Sequence, residues 1–255
     1  MSVGSVIVPA GELPIERTPV RTTLGQYNET QSQDAFSLQN SKLLKVQLNQ
    51  VTIQAKLGSM VAYQGQVTFE HAGSGGMGRW IKKQVSGEGQ SLMRITGQGE
   101  VFLADQAQDI HLIYLENDSI TCNGINVLAF DAGIDWDIQM MGGAGSMAGG
   151  MSNMRLGGTG WVAVLSAGPP VLLNVAQAPT FADPQAAITW SSGVSTSVKT
   201  DANLKTFIGK GSGETFQLAF GGQGWVLVQP SENVIKSAAA AGGGSGGGLG
   251  GLLGQ

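Results

Sequence analysis

Charge, cysteine and long apolar runs are what this sequence has little of. Only 13% of its 255 residues are charged, roughly half the share of an ordinary globular chain. Its 14 Lys and Arg are outnumbered by 18 Asp and Glu, for a net charge of −4. A chain with no basic excess cannot neutralise a run of phosphates, which argues against nucleic acid as a partner. The single cysteine, Cys122, rules out an internal disulfide and a thiolate zinc finger, and fits a reducing compartment. No stretch approaches 18 consecutive apolar residues, so no membrane-spanning helix is expected. The N-terminal Met1–Pro9 has no basic leader, and its apolar run is shorter than a secretion signal needs.

Glycine is abundant instead, with 40 residues, and 42% of the chain is hydrophobic. Aromatic and β-branched residues alternate with polar ones in short runs, as in Val46, Leu48, Val51 and Ile53, then Ile110, Leu112, Leu115 and Ile120, then Val171–Val175. This period belongs to strands bounded by turns, and no dozen residues carry an apolar stripe at helical spacing. An all-β chain follows.

The strands repeat. Gly97-Gln-Gly99-Glu-Val-Phe-Leu-Ala104, Gly158-Thr-Gly160-Trp-Val-Ala-Val-Leu165 and Gly222-Gln-Gly224-Trp-Val-Leu-Val-Gln229 share a Gly-x-Gly leading into an alternating strand. Ahead of each stands an aromatic residue shortly before a glycine: Tyr63 before Gly65, Phe130 before Gly133, Trp190 before Gly193. Glycine inside a strand pattern marks a bulge, a bend or a close backbone approach. Units of about 60–67 residues are too small to bury both sheet faces alone, so the three are expected to share one core over residues 42–231. Residues 1–41 read as an N-terminal extension with an edge strand at Val6–Val8, and residues 232–255 as a flexible Ala/Gly-rich tail.

Within each unit a variable connection separates the two signatures. The connections hold His71 to Lys83, Met140 to Arg155, and Leu204 to Lys210. They carry Met77, Arg79, Trp80, Ile81, Lys82 and Lys83 in the first, Met147, Met151, Met154 and Arg155 in the second, and Lys205, Phe207, Ile208 and Lys210 in the third, with no Asp or Glu. A threefold arrangement would gather them at one end. Hairpin tips tolerate Gly, Met and Lys without any function. Apolar rings beside cations also suit an anionic membrane surface, and flexible methionines suit a protein partner. The contact set on that reading is Met77, Arg79, Trp80, Ile81, Lys82, Lys83, Met147, Met151, Met154, Phe207, Ile208 and Lys210. Thioethers alone, with no His or Cys beside them, make a poor copper site.

Catalytic patterns are not evident. Asp131, Asp135 and Asp137 crowd one segment, but strand alternation puts Asp135 and Asp137 on one face and Ile134, Trp136 and Ile138 on the other, as in a half-exposed strand. His71 and His111 are far apart in sequence, and His111 reads as a surface strand residue. Cys122 reads as a small packed side chain. Gly73–Gly78 lacks the Gly-Lys-Ser/Thr ending of a phosphate loop, and no serine elbow or zinc-binding helix motif is present. No cofactor or metal is expected. A scaffold or adaptor is the first functional expectation and a small-molecule or carbohydrate-binding module the second, with homo-oligomers left open by exposed strand edges.

In combination, Gly58-Ser-Met-Val-Ala-Tyr63, Gly87-Glu88, Gly97-Gln-Gly99-Glu-Val-Phe-Leu-Ala104, Val127-Leu-Ala-Phe-Asp131, and Gly213-Glu214 ahead of Gly222-Gln-Gly224 resemble the mitochondrial biogenesis (altered inheritance of mitochondria, number 24) family across residues 42–231. The resemblance implies a double-stranded β-helix like that of the tryptophan RNA-binding attenuation protein, built from three repeats in one chain. It implies a tie to the mitochondrial inner membrane in eukaryotic members and supplies no catalytic set. This sequence departs from the pattern at Asn153-Met-Arg155, where the outer units have Gly-Glu, and in its enlarged second connection. With no presequence evident, a cytoplasmic protein, peripheral at the inner face of the membrane, is expected. RNA binding does not transfer with a fold.

Overall fold

The structure, a computed structural model, describes residues 23–71, 91–140, 152–199 and 217–231. The described residues 23–31 belong to a first unit and include a 3-10 turn at Gly25–Tyr27. The second unit, Ser32–Gln255, contains all the described strands. In chain order they are β1 (Phe36–Asn40), β2 (Leu43–Gln47), β3 (Ile53–Lys56), β4 (Met60–His71), β5 (Leu92–Leu103), β6 (Asp109–Asn123), β7 (Val127–Asp131), β8 (Asp135–Met140), β9 (Ser152–Ser166), β10 (Val171–Asn174), β11 (Thr180–Ala182), β12 (Ala187–Ser191), β13 (Val194–Lys199), β14 (Gln217–Gly222) and β15 (Trp225–Val228). The all-β reading holds. The domain, however, begins earlier than residue 42: β1 pairs with β2 through Phe36↔Val46 and Leu38↔Leu44, so a boundary at 41 would cut a hairpin. The edge strand expected at Val6–Val8 and the tail 232–255 lie outside the described residues.

The main sheet runs β1-β2-β5-β3-β7-β9-β6-β12-β15-β10, with β4 also on β5 and β8 also on β9, while β11-β14-β13 forms a small second sheet. The pairing is antiparallel and it recurs. Strand β5 takes β2 on its C-terminal half and β3 on its N-terminal half. Strand β9 takes the two halves of β6 in the same way, and β15 with β14 take β10 and β11. On the other side of these strands lie β4, then β7 with β8, then β12 with β13. The result is three long hairpins, whose connections are residues 72–90, 141–151 and 200–216.

The Gly-x-Gly pairs sit where each hairpin crosses over. Gly97, Gly99, Gly158, Gly160, Gly222 and Gly224 all have positive φ, between 103° and 148°, a region closed to residues with a β-carbon. Space closes it as well. A β-carbon on Gly99 would lie 2.0 Å from the Gln64 carbonyl oxygen, and one on Gly160 would lie 2.6 Å from Asp131 Oδ2. A bulge precedes the crossing on the facing strand each time, at Met60/Ala62, Val127/Ala129 and Ala187/Thr189. These paired distortions bend each strand pair so that one half serves one sheet face and the other half the next.

The core forms three clusters joined end to end. The first contains Leu44, Ile53, Ile95 and Val101 and is completed by Ile110, Leu128 and Ala129 from the following unit. The second contains Ile120, Phe130, Leu156 and Val162 and is completed by Ile188. The third holds Val175, Trp190, Leu218, Phe220 and Val226. One charged side chain is built into the first unit: Lys45, buried between Leu44 and Val46, with its Nζ 2.9 Å from Glu100 Oε1.

Replacing Gly99 with Ala forces both a disfavoured φ and a backbone clash, so chemical denaturation should report a loss of about 2 kcal/mol or more. Gly133→Ala, with nothing within 4 Å of the added carbon, should leave stability within about 0.5 kcal/mol of the parent.

Candidate functional site

Of the twelve expected contact residues, Met77, Arg79, Trp80, Ile81, Lys82, Lys83, Met147, Met151, Phe207, Ile208 and Lys210 lie outside the described residues. The twelfth, Met154, is corrected: it is 1% exposed and packs in the second core cluster. Its strand explains this. The segment beyond 151 is already β9, where Met154 pairs with Cys122 and Ile138, two inward positions. The next residue, Arg155, is exposed and donates from Nη2 to Ser119 Oγ at 3.4 Å. The complete connections also take in Glu88, Asp201 and Glu214 beside Arg79, Lys82, Lys83, Lys205 and Lys210. Their basic excess is therefore smaller than the narrower segments imply.

Arg155 opens onto a polar groove of the described surface. A groove of about 400 Å³ runs between the second and third hairpins, lined by Thr121, Gln139, Asn153, Arg155, Ser192 and Thr196, with Trp190 at its floor. The joint between units creates it. Strand β6 hands its C-terminal end to β12 through Thr121↔Trp190 and Cys122↔Thr189, while β8 stays paired with β9 and β13 with β14. Side-chain amides, hydroxyls and one guanidinium thus face a shared space. Such a set offers many neutral hydrogen bonds and one positive charge, which suits a small hydroxyl-rich or anionic ligand. Sequence inspection passed over it because Thr121, Arg155 and Thr196 are far apart along the chain.

The other singled-out residues have structural partners. Asp135 and Asp137 are exposed while Ile134 and Ile138 are buried, as alternation predicted. His111 is half-buried, and its Nε2 shares a hydrogen bond with Ser166 Oγ at 2.7 Å; burial lowers its pKa against the opposing pull of Asp109. Asp109 in turn is held below the usual carboxylate range by its hydrogen bond to Lys42. The Cys122 thiol is fully buried, donates to Thr189 Oγ1 at 3.2 Å, and is pushed up to about 12 by burial. No group of three or more His, Cys, Asp or Glu among the described residues could hold a metal ion, and no described helix is long and apolar enough to cross a membrane.

Asp131 has a role that its neighbours in sequence did not suggest. Its Oδ2 accepts the backbone N–H of Trp161, the residue after Gly160, at 2.6 Å. At the third crossing Ser191 Oγ accepts the N–H of Trp225, after Gly224, at 3.1 Å. At these two crossings the side chain after the repeated aromatic therefore caps the donor that the glycine crossing strips from the ladder.

Comparison with known proteins places this architecture. The sequence matches the family described as Mitochondrial biogenesis AIM24 over residues 36–231. The chain belongs to that family. The matched span starts at the first residue of β1 and ends with the last described residue after β15. No curated protein matches the chain. Among solved structures, the crystal structure of protein SPYM3_0169 from Streptococcus pyogenes is similar, with a TM-score of 0.63 and 20% identity, covering 77% of this chain and 92% of that one. At that identity the likeness is one of fold.

Burial raises the Asp131 carboxyl above its ordinary value of 3.8, against the Trp161 hydrogen bond that lowers it. The folded state thus holds this proton more tightly than the unfolded chain, and the associated stability fades as pH rises through the raised folded pKa. Asp131→Asn keeps the acceptor without the charge, so urea unfolding at pH 7 should show stability equal to or above the parent. Asp131→Ala orphans the Trp161 N–H and should lose about 1–3 kcal/mol.

Proposed function

We propose that this AIM24-family protein is a non-enzymatic scaffold or adaptor that sits at the inner face of a membrane and meets its anionic surface through the connections of its three hairpins. The observation that carries the reading is the recurrence of the hairpin itself, because one β framework presents three connections of unusual composition. Arg79, Trp80, Ile81, Lys82 and Lys83 in the first and Phe207, Ile208 and Lys210 in the third combine rings that favour the headgroup boundary with cations that favour anionic lipid. Each cation near such a surface adds roughly 1 kcal/mol, so a handful suffices for reversible attachment. A family description in mitochondrial biogenesis is compatible with a protein that organises others at a membrane.

Flotation with phosphatidylserine-containing and neutral vesicles at low and high salt tests the reading. The protein is expected to float with anionic vesicles, to detach as salt rises, and to lose binding when Trp80→Ser and Phe207→Ser are combined. Flotation of the double variant equal to that of the parent would sink the proposal.

The groove at Arg155 favours a second reading, a module that binds a small hydroxyl-rich or anionic molecule. Thermal-shift screening with sugars and sugar phosphates should then yield a hit that Arg155→Ala abolishes, and a hit indifferent to that change would point elsewhere.

A further inference from the structure

The two joints between successive units follow one register. In the first, β3 pairs with β7 through Ile53↔Asp131, Gln54↔Phe130 and Ala55↔Ala129, and the Ala132 N–H donates to the Thr52 carbonyl. In the second, β6 pairs with β12 through Ile120↔Ser191, Thr121↔Trp190 and Cys122↔Thr189, and the Ser192 N–H donates to the Ser119 carbonyl. Equivalent residues meet at both. Each joint also drives the residue at the bulge into the preceding unit's core: Leu128 joins the first cluster and Ile188 the second.

A third joint of this kind has both halves present, and no ladder among the described strands joins them. Its donor is the start of β4, where Val61 is equivalent to Leu128 and Ile188, and Tyr63 to Phe130 and Trp190. Val61 is 61% exposed and Tyr63 49%, whereas all four counterparts are at most 3% exposed. Its acceptor is β11, equivalent to β3 and to the end of β6, beside a third core cluster that no following unit completes. On β11 Phe181 is 42% exposed, its ring carrying the Lys199 ammonium 4.4 Å from its centroid. Strand β4 pairs with β5 and β11 with β14, and no ladder joins β4 to β11.

We infer that a second copy of this chain supplies the missing partner, with β11 of one copy adding to β4 of the next, head to tail, in the register Thr180↔Gln64, Phe181↔Tyr63 and Ala182↔Ala62. The occupant is argued from the molecule itself, because the missing strand has the same sequence signature, bulge and apolar insertion that the chain already uses twice. Val61 of the incoming copy fills the position at the third cluster that Leu128 and Ile188 fill at the first and second. The contact is heterologous, so it propagates until a ring closes. Exposed strand edges flanked by apolar side chains are the usual substrate for strand addition.

Single-cysteine pairs test the register. Ala62 and Ala182 fall at the position of Ala55↔Ala129, which lies between hydrogen-bonded pairs, where opposite β-carbons are close enough for a disulfide. Native Cys122 is buried and does not compete. An equimolar mixture of Ala62→Cys and Ala182→Cys proteins should give a cross-linked dimer on mild oxidation. A mixture of Val61→Cys and Ala182→Cys, one residue out of register, should give at least tenfold less. Light scattering should place the unmodified protein at a multiple of 26.3 kDa, and Val61→Lys, at an exposed position, should shift it to the monomer mass. A monomeric parent, or equal cross-linking in both mixtures, would overturn the inference. So would a monomer in which residues 1–22 of the same chain protect β4 from exchange, since that strand would then have an intrachain cover.

Discussion

The positive-φ bend at each Gly-x-Gly is the constraint from which the rest of this protein follows. At Gly99 the facing backbone, and at Gly160 the Asp131 side chain, lies so close that no β-carbon fits, and the positive φ of the glycines turns one long strand into two halves with different neighbours. Without that turn β5 and β9 would be flat strands with a single partner on each side. With it, each hairpin binds two preceding strands on one edge and leaves its opposite edge for the previous unit. The bend also removes a backbone donor from the ladder, and the Asp131 carboxylate and the Ser191 hydroxyl restore an acceptor at that point.

A unit bent in this way does not close its own core. Leu128 and Ala129 belong in sequence to the second unit and in space to the first cluster, and Ile188 bears the same relation to the second. The units are thus interlocked by burial as well as by hydrogen bonds, and burying a side chain the size of Leu or Ile contributes roughly 1.5–3 kcal/mol. The groove at Arg155 is a by-product of the same joint, because its lining comes from β8 and β9 on one side and β12 and β13 on the other, where β6 meets β12. The interlock also explains why apolar exposure concentrates at the start of the first unit and the end of the third. Val61 is 61% exposed at the position where Leu128 and Ile188 are buried by the preceding unit.

The sequence made some of this legible and hid the rest for physical reasons. The glycine pairs and the aromatic ahead of each were readable, since φ above zero and close approach leave few substitutes for glycine, and strand alternation placed Asp135 and Asp137 outside and Ile134 and Ile138 inside. The start of the domain was not readable, because β1 is held by long-range pairing with β2 and carries no glycine signature of its own. Met154 was misplaced because nothing local distinguishes the last residues of a Met/Gly connection from the first residues of β9. Lys45 looks like an outward strand residue and is buried, with Glu100, far along the chain, meeting its ammonium group. Arg155, Thr121 and Thr196 gained a common site only through the joint.

Hydrogen exchange followed across protein concentration tests the interlocking account most directly. Amides of residues 128–131 and 188–191, covered within the chain, should be protected at every concentration. Amides of residues 61–64 should reach similar protection at high concentration and lose it on dilution. Fast exchange at 61–64 that does not respond to concentration would contradict the account, as would equal protection of all three segments in the isolated monomer.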